Sequence, residues 1–180
     1  MAAGLEGVNT VRVLQRSEGE GDQGAITIET ASDIDLSEPE RRTRSTVTCE
    51  GACDQADLEQ IVIGDLGYML IDGTWVGPTP GMSEVNSSGF EFVEHLTETV
   101  AETTLAPDFD EPVETPSLTV FKVSLVPDSA LSSSVVHVGI DSDWRVREYW
   151  AKASEGLFSS VHTVIEYDVE FDEISAPMTG

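Results

Sequence analysis

From Ser160 to Phe171 the chain alternates with a period of two. Val161, Thr163, Ile165, Tyr167, Val169 and Phe171 fall on one edge, against His162, Val164, Glu166, Asp168, Glu170 and Asp172 on the other. A strand with this period has one buried and one wet face, the habit of an antiparallel sheet. Extended patterns recur at 8–16, 25–35, 41–49, 58–63 and 66–71, and again at 118–126, 134–141 and 144–153, divided by Gly, Pro and Asp turns. Gly64-Asp65 separates a tight pair, and Asp72-Gly73 before Trp75 is a hairpin signal.

The period changes once. Between about Glu84 and Leu105, at a rotation of about 100° per residue, Gly89, Val93, Leu96 and Val100 share a stripe, and Glu91, Glu94, Glu98 and Glu102 lie opposite. Pro78 and Pro80 fence this predicted helix on one side and Pro107 on the other. The expected class is α+β, mainly antiparallel β: a curved half-barrel sheet of seven to nine strands wrapped on one helix, or on two. So long a sheet cannot bury its inner face against itself without closing, and a helix of ~30 Å plugs only part of a half-barrel. Apolar room beside the helix is a ligand cavity; the plainer alternative is that helix side chains fill it completely.

Charge narrows the partners. The chain has 34 Asp and Glu against 9 Lys and Arg, a formal net charge of -25. Such a field repels nucleic acid and anionic headgroups, which need clustered Lys or Arg, so membrane contact must be apolar or run through a lipid anchor or a cationic bridge. The acids spread from Glu6 to Glu173 and read as the solvated surface of a folded domain. Scarce lysine beside abundant carboxylate fits a salt-adapted protein and an acidic secreted protein equally well. No run of 18 apolar residues is present to span a membrane as a helix.

Catalytic and metal chemistry find little support. His95, His137 and His162 are scattered without a Gly-x-Ser-x-Gly elbow, and His137 and His162 fall on the polar edges of their strands. Gly19-x-Gly21-x-x-Gly24 spells a dinucleotide fingerprint but joins two strands and carries Glu18, Glu20 and Asp22, so it reads as a hairpin turn. Asp54-x-x-Asp57 and Asp141-x-Asp143 lack the Gly and distal Glu of a calcium loop. Cys49 and Cys53, with Gly51 between them, read as a local disulfide; two reduced thiols are the alternative. No second cysteine pair or nearby histidine completes a zinc set. No catalytic residue, metal or cofactor is assigned. Trp75, Trp144 and Trp150 stand near strand ends, where large side chains more often close a core than grip a ligand.

The phrase Ile61-Val-Ile-Gly-Asp-Leu-Gly-Tyr68-Met-Leu-Ile-Asp-Gly-Thr-Trp75, the predicted helix, and strands closing on Val164-Ile-Glu-Tyr167-Asp-Val-Glu-Phe171-Asp-Glu-Ile-Ser-Ala-Pro177 resemble lipoproteins of the LppX/LprG and LolA-like superfamily. The resemblance implies one half-barrel domain over 1–180 that lacks the family's first helix and signal segment, and an exported product, secreted or at the cell surface, anchored by lipid in its full-length form. It also implies a lipid or other apolar ligand carried between sheet and helix. The expected cavity lining is Tyr68, Trp75, Val93, Leu96, Val100, Ile165 and Tyr167. Cys49 and Cys53 are not part of the family pattern. The expected function is binding without catalysis; an envelope sensor or protein-interaction module of the same fold without cargo is the alternative, and a hydrolase using scattered carboxylates is weaker than both.

Overall fold

The computed structural model describes residues 7–21, 24–37, 41–51, 53, 58–81, 100–107, 109–125, 135–152 and 158–179. The strands are β1 (Thr10–Gly21), β2 (Gly24–Asp35), β3 (Arg42–Gly51), β4 (Leu58–Ile63), β5 (Leu66–Ile71), β6 (Thr74–Pro80), β7 (Val100–Leu105), β8 (Thr119–Leu125), β9 (Val135–Ile140), β10 (Val146–Lys152) and β11 (Phe158–Tyr167). All eleven belong to one sheet in the order β6-β5-β4-β3-β2-β1-β11-β10-β9-β8-β7. Every neighbouring pair is antiparallel. The sheet is therefore two meanders, β1 to β6 and β7 to β11, joined where the first strand pairs with the last.

Local chemistry sets the turns. Asp72 (φ 48°) and Gly73 (φ 76°) both take positive φ between β5 and β6, the conformation of a two-residue hairpin whose twist matches its strands. Gly21 pairs with Gly24, so the glycine-rich stretch is a hairpin tip between β1 and β2, as its composition indicates. Gly77 has φ 145° and precedes a cis proline, and a Cβ built there would lie 2.7 Å from the Gly67 carbonyl oxygen, so no larger residue fits where β6 crosses β5.

Side-chain parity follows from the register. Val11, Val13, Gln15 and Ser17 of β1 stand on the same face as Tyr167, Ile165, Thr163 and Val161 of β11 and Ile34, Ser32, Thr30 and Ile28 of β2. Arg12, Leu14 and Arg16 stand on the other, opposite Glu166, Val164 and His162. The Val11 face holds the larger core: Val11, Val13, Ile34, Val136, Tyr149 and Ile165 are all at most 3% exposed.

Two segments that leave the sheet cross the Arg12 face. After β11, Asp168 adopts φ 55° and donates its N–H to the Thr10 carbonyl, and the Thr10 hydroxyl donates to the Val169 carbonyl at 2.8 Å. The tail then runs over β3 to β5, where Phe171 and the fully buried Ile174 pack with Ile61, Ile63, Tyr68 and Trp75. Arg42 Nη1 donates to the Ile174 carbonyl at 3.2 Å. The second segment, 109–118, straps β8 to β10. Its Phe109 ring lies 4.6 Å from Trp150 and 4.9 Å from His137, and the backbone N–H groups of Glu114 and Thr115 donate to the fully buried Glu148 carboxylate.

Three expectations are corrected. The sheet has eleven strands instead of seven to nine, because the stretch from Trp75 to Pro80 and the end of the predicted helix both pair as strands. Residues 100–105 form β7 against β8, where ladder hydrogen bonds override a helical period that is weak in a Thr-rich run. The rest of the predicted helix, 84–99, lies outside the described residues. The last strand stops at Tyr167, so Phe171 packs on the face opposite Tyr167; the positive φ at Asp168 breaks the alternation.

Replacing Ile174 by alanine is expected to cost about 2–5 kcal/mol, since it empties the contact that holds the tail to the sheet. Met178→Ala, at a side chain 96% exposed, is expected to stay within about 0.5 kcal/mol. Urea unfolding of the two variants checks the contrast.

Candidate ligand-binding faces

On the Val11 face the register lines up cross-strand rows. One row runs Tyr167, Val11, Ile34, Thr43, Val62, and the next Ile165, Val13, Ser32, Ser45, Gln60. In these rows β11 and β1 contribute Tyr167, Ile165, Val11 and Val13, and β2 to β4 add the hydroxyls of Ser32, Thr43 and Ser45 and the Gln60 amide; farther along the same face Thr163, Gln15 and Ser17 bring polar groups to β11 and β1. Ser32 and Ser45 are buried and share a hydrogen bond of 2.8 Å. Gln60 Nε2 is buried and has no acceptor among the described residues, a state that costs free energy unless an acceptor is supplied. The apolar cluster draws only on strand residues, Val8 and Leu36 among the described residues.

The two tyrosines on this face are locked as neutral phenols. Burial pushes Tyr149 up to about 12, opposed by a hydrogen bond with Thr163, and its hydroxyl donates to Gln15 Oε1 at 3.4 Å. Burial also raises Tyr167, opposed by Arg147 and Arg145, whose guanidinium carbons lie 5.3 and 5.4 Å from its ring centroid. The Tyr167 hydroxyl donates to the Val146 carbonyl at 2.8 Å. Neutral phenols held in this way make an apolar lining with fixed donors.

The residues expected to line one cavity divide between the faces. Ile165 and Tyr167 stand on the Val11 face, whereas Tyr68 and Trp75 stand on the Arg12 face under the tail. Val100 is in β7, and Val93 and Leu96 lie outside the described residues. Between the tail and the strap, the Arg12 face opens into a cavity of about 430 Å³ floored by Leu14, Arg16, Glu29, Thr46 and His162, with Glu114 at its rim.

Neither described histidine is a free surface group. His162 Nε2 lies 3.1 Å from the buried Glu148 carboxylate, and its ring stacks on Trp150 at 5.3 Å with 6° between planes. His137 lies under Phe109. Both stand on the polar edge that alternation assigns them, but the strap covers it. Glu148 itself escaped notice because a carboxylate at an outward position reads as solvated; only the strap's backbone reveals its role. Asp141 Oδ1 accepts from the N–H groups of Asp143 and Arg145, so the Asp141-x-Asp143 pair caps a turn. Among the described residues no three His, Cys, Asp or Glu side chains are grouped to hold a metal. Cys49 and Cys53 form a disulfide with a Cα separation of 6.2 Å. Trp144 is 70% exposed and Trp150 is buried.

No protein-family model and no curated protein sequence matches the chain. The architecture is nevertheless a known one, an open antiparallel sheet of the kind that the hairpin and last-strand phrases lead one to expect. It is the fold of LprF from Mycobacterium bovis, whose crystal structure aligns with a TM-score of 0.63 at 12% identity, over 99% of this chain and 94% of LprF. A LolA superfamily protein from Nitrosomonas europaea aligns over 90% of this chain and 84% of its own at 11% identity, with a TM-score of 0.30.

An unfolded tyrosine titrates near 10, so the higher value of Tyr149, about 12, makes the folded state keep a proton that the unfolded state releases. Stability is therefore expected to fall as pH rises from about 10 through 12. Tyr149→Phe is expected to flatten that decline and Tyr149→Phe with Tyr167→Phe to flatten it further, as read by urea denaturation across the window. A slope identical in all three proteins would contradict the burial of these phenols.

Proposed function

We propose that this protein is an extracytoplasmic binding protein that carries a lipid or other apolar ligand against the Val11 face of its sheet. The observation that carries the reading is that cross-strand rows on that face run from the apolar side chains of β11 and β1 to the hydroxyls of Ser32, Thr43 and Ser45 and the Gln60 amide. An amphiphile fits such a surface with its chain over β8 to β1 and its polar end near the Gln60 amide, whose unused donor it would satisfy. The sequence resemblance to LppX/LprG and LolA-like lipoproteins and the LprF fold support the same reading. The Cys49–Cys53 disulfide fits an oxidising compartment, and with it a product secreted or displayed at the cell surface. The family's lipid anchor and signal segment belong to this proposal, as does the extent of one half-barrel domain over 1–180. Binding needs no catalytic group, and the buried tyrosines offer none.

Native mass spectrometry of the protein purified from its own host tests the reading, followed by organic extraction of whatever it retains. The expected result is a bound amphiphile that is released on denaturation, and a dansyl-labelled fatty acid that binds the stripped protein. Gln60→Leu is expected to weaken that probe several-fold without loss of fold. Retention of no lipid, together with failure to bind the probe, would remove the carrier reading and leave the cargo-free envelope interaction module.

A further inference from the structure

The Arg12 face carries a feature that the cargo reading does not use. Lys122 of β8 pairs with His137 of β9, His137 with Trp150 of β10, Trp150 with His162 of β11, and His162 with Arg16 of β1. These five side chains form one cross-strand row, and four of them are basic. Lys152, the only other lysine in the chain, is two residues along β10 on the same side. In a chain of 34 acids and 9 Lys and Arg, this row gathers both lysines around a buried tryptophan, while Arg16 is paired with Glu18 and Glu29, His162 with Glu148 and Glu114, and Lys152 with Glu111. Burial and then the positive charges of Lys122 and Lys152, opposed by Glu111, hold the pKa of His137 below its usual value.

The strap meets this row with complementary chemistry. Phe109 packs on His137 and Trp150, Glu111 pairs with Lys152, and Glu114 Oε1 lies 3.9 Å from His162 Nδ1. An aromatic ring flanked by carboxylates is thus already seated on the basic row. It does not fill the site. A cavity of about 370 Å³ remains, lined on one side by Leu105, Pro107 and Phe109 and on the other by Lys122, His137 and Trp150, with Lys152 and the carboxylates of Asp110 and Glu111 also in its wall. Its volume falls within the usual range of small-ligand sites. Trp150 is 5% exposed, and its Nε1 donor is buried with no acceptor among the described residues.

We propose that this cavity binds a compact anionic ligand, an oxyanion joined to a flat apolar body, with Phe109 as part of its wall and Glu111 acting as its intramolecular competitor. The oxyanion sits between the ammonium groups of Lys122 and Lys152, where charge-assisted hydrogen bonds are strongest. The flat body lies beside Phe109 and Trp150. Glu111 must yield Lys152, so the strap sets the affinity: the ligand binds in proportion to the fraction of molecules in which Lys152 is released. The site lies on the sheet face opposite the proposed cargo surface and does not depend on that reading.

Titration of naphthalene sulfonate into the full chain, followed by calorimetry and tryptophan fluorescence, tests the assignment. One saturable site is expected. Lys122→Met is expected to weaken it about tenfold and Glu111→Gln to strengthen it about fivefold, an opposite pair that general loss of fold cannot produce. Lys122 is exposed on β8 and the Glu111 side chain is half-buried on the strap, and circular dichroism verifies that the variants fold. Inorganic sulfate alone is expected to bind much more weakly than naphthalene sulfonate, since it leaves the flat apolar wall unused. Equal affinity in the wild type and both variants would place the probe elsewhere, on the cargo face included, and would overturn the proposal. So would the absence of binding, or binding only to phosphatidylglycerol vesicles in place of the soluble probe.

Discussion

β1 and β11 lie side by side from Val11 opposite Tyr167 to Gly19 opposite Phe158, and that register joins the two meanders into one sheet. It brings together segments near opposite ends of the chain. The closure entropy is offset at once by burial, because Val11, Val13 and Ile165 are at most 1% exposed at the seam. The same register fixes the parity of every other strand, since a slip by one residue would turn each strand's apolar set toward the opposite face. Polar contacts on the far face reinforce it: Arg12 Nε binds Asp33 at 2.6 Å, which also raises the guanidinium pKa, and Thr10 holds the start of the tail.

Parity then divides the labour between the faces. The Val11 face is a broad buried surface in which apolar side chains meet the hydroxyls of Ser32, Thr43 and Ser45 and the Gln60 amide. The Arg12 face is closed in two places by segments of the chain itself, the tail over β3 to β5 and the strap over β8 to β10. The strap is fastened by a buried carboxylate, Glu148, which accepts two backbone N–H groups and faces His162. A carboxylate so deep is tolerated because its oxygens are hydrogen-bonded. The chain carries a formal net charge of -25, and the row beneath the strap gathers both of its lysines.

Much of the sheet was legible in the sequence. β4 and β5 have the bounds that their turns predict, Leu58–Ile63 and Leu66–Ile71, because Gly64-Asp65 and Asp72-Gly73 punctuate them sharply. β11 announced itself by alternation, and its end did not, since nothing in Tyr167-Asp168-Val169 marks the positive φ at Asp168. β7 was hidden at the end of a helical stripe, because Val100 continues the spacing of Gly89, Val93 and Leu96. The candidate site was harder to read. Tyr68 and Trp75 belong to the same hairpin phrase and share a face, but which face Ile165 shares depends on a register counted across six strands. Sequence alone contains no such count. Glu148, Gln60 and the strap were invisible for a related reason: their roles arise only when distant segments meet.

The claim on which the account rests is that apolar cargo lies on the Val11 face and nowhere on the Arg12 face. Photo-crosslinking with a benzophenone-bearing fatty acid, followed by peptide mass spectrometry, reads this directly. The account predicts adducts on residues of Val11-face parity, such as Ile34, Gln60 and Ile165. Adducts concentrated on Tyr68, Trp75 or Phe171, beneath the tail on the opposite face, would contradict it.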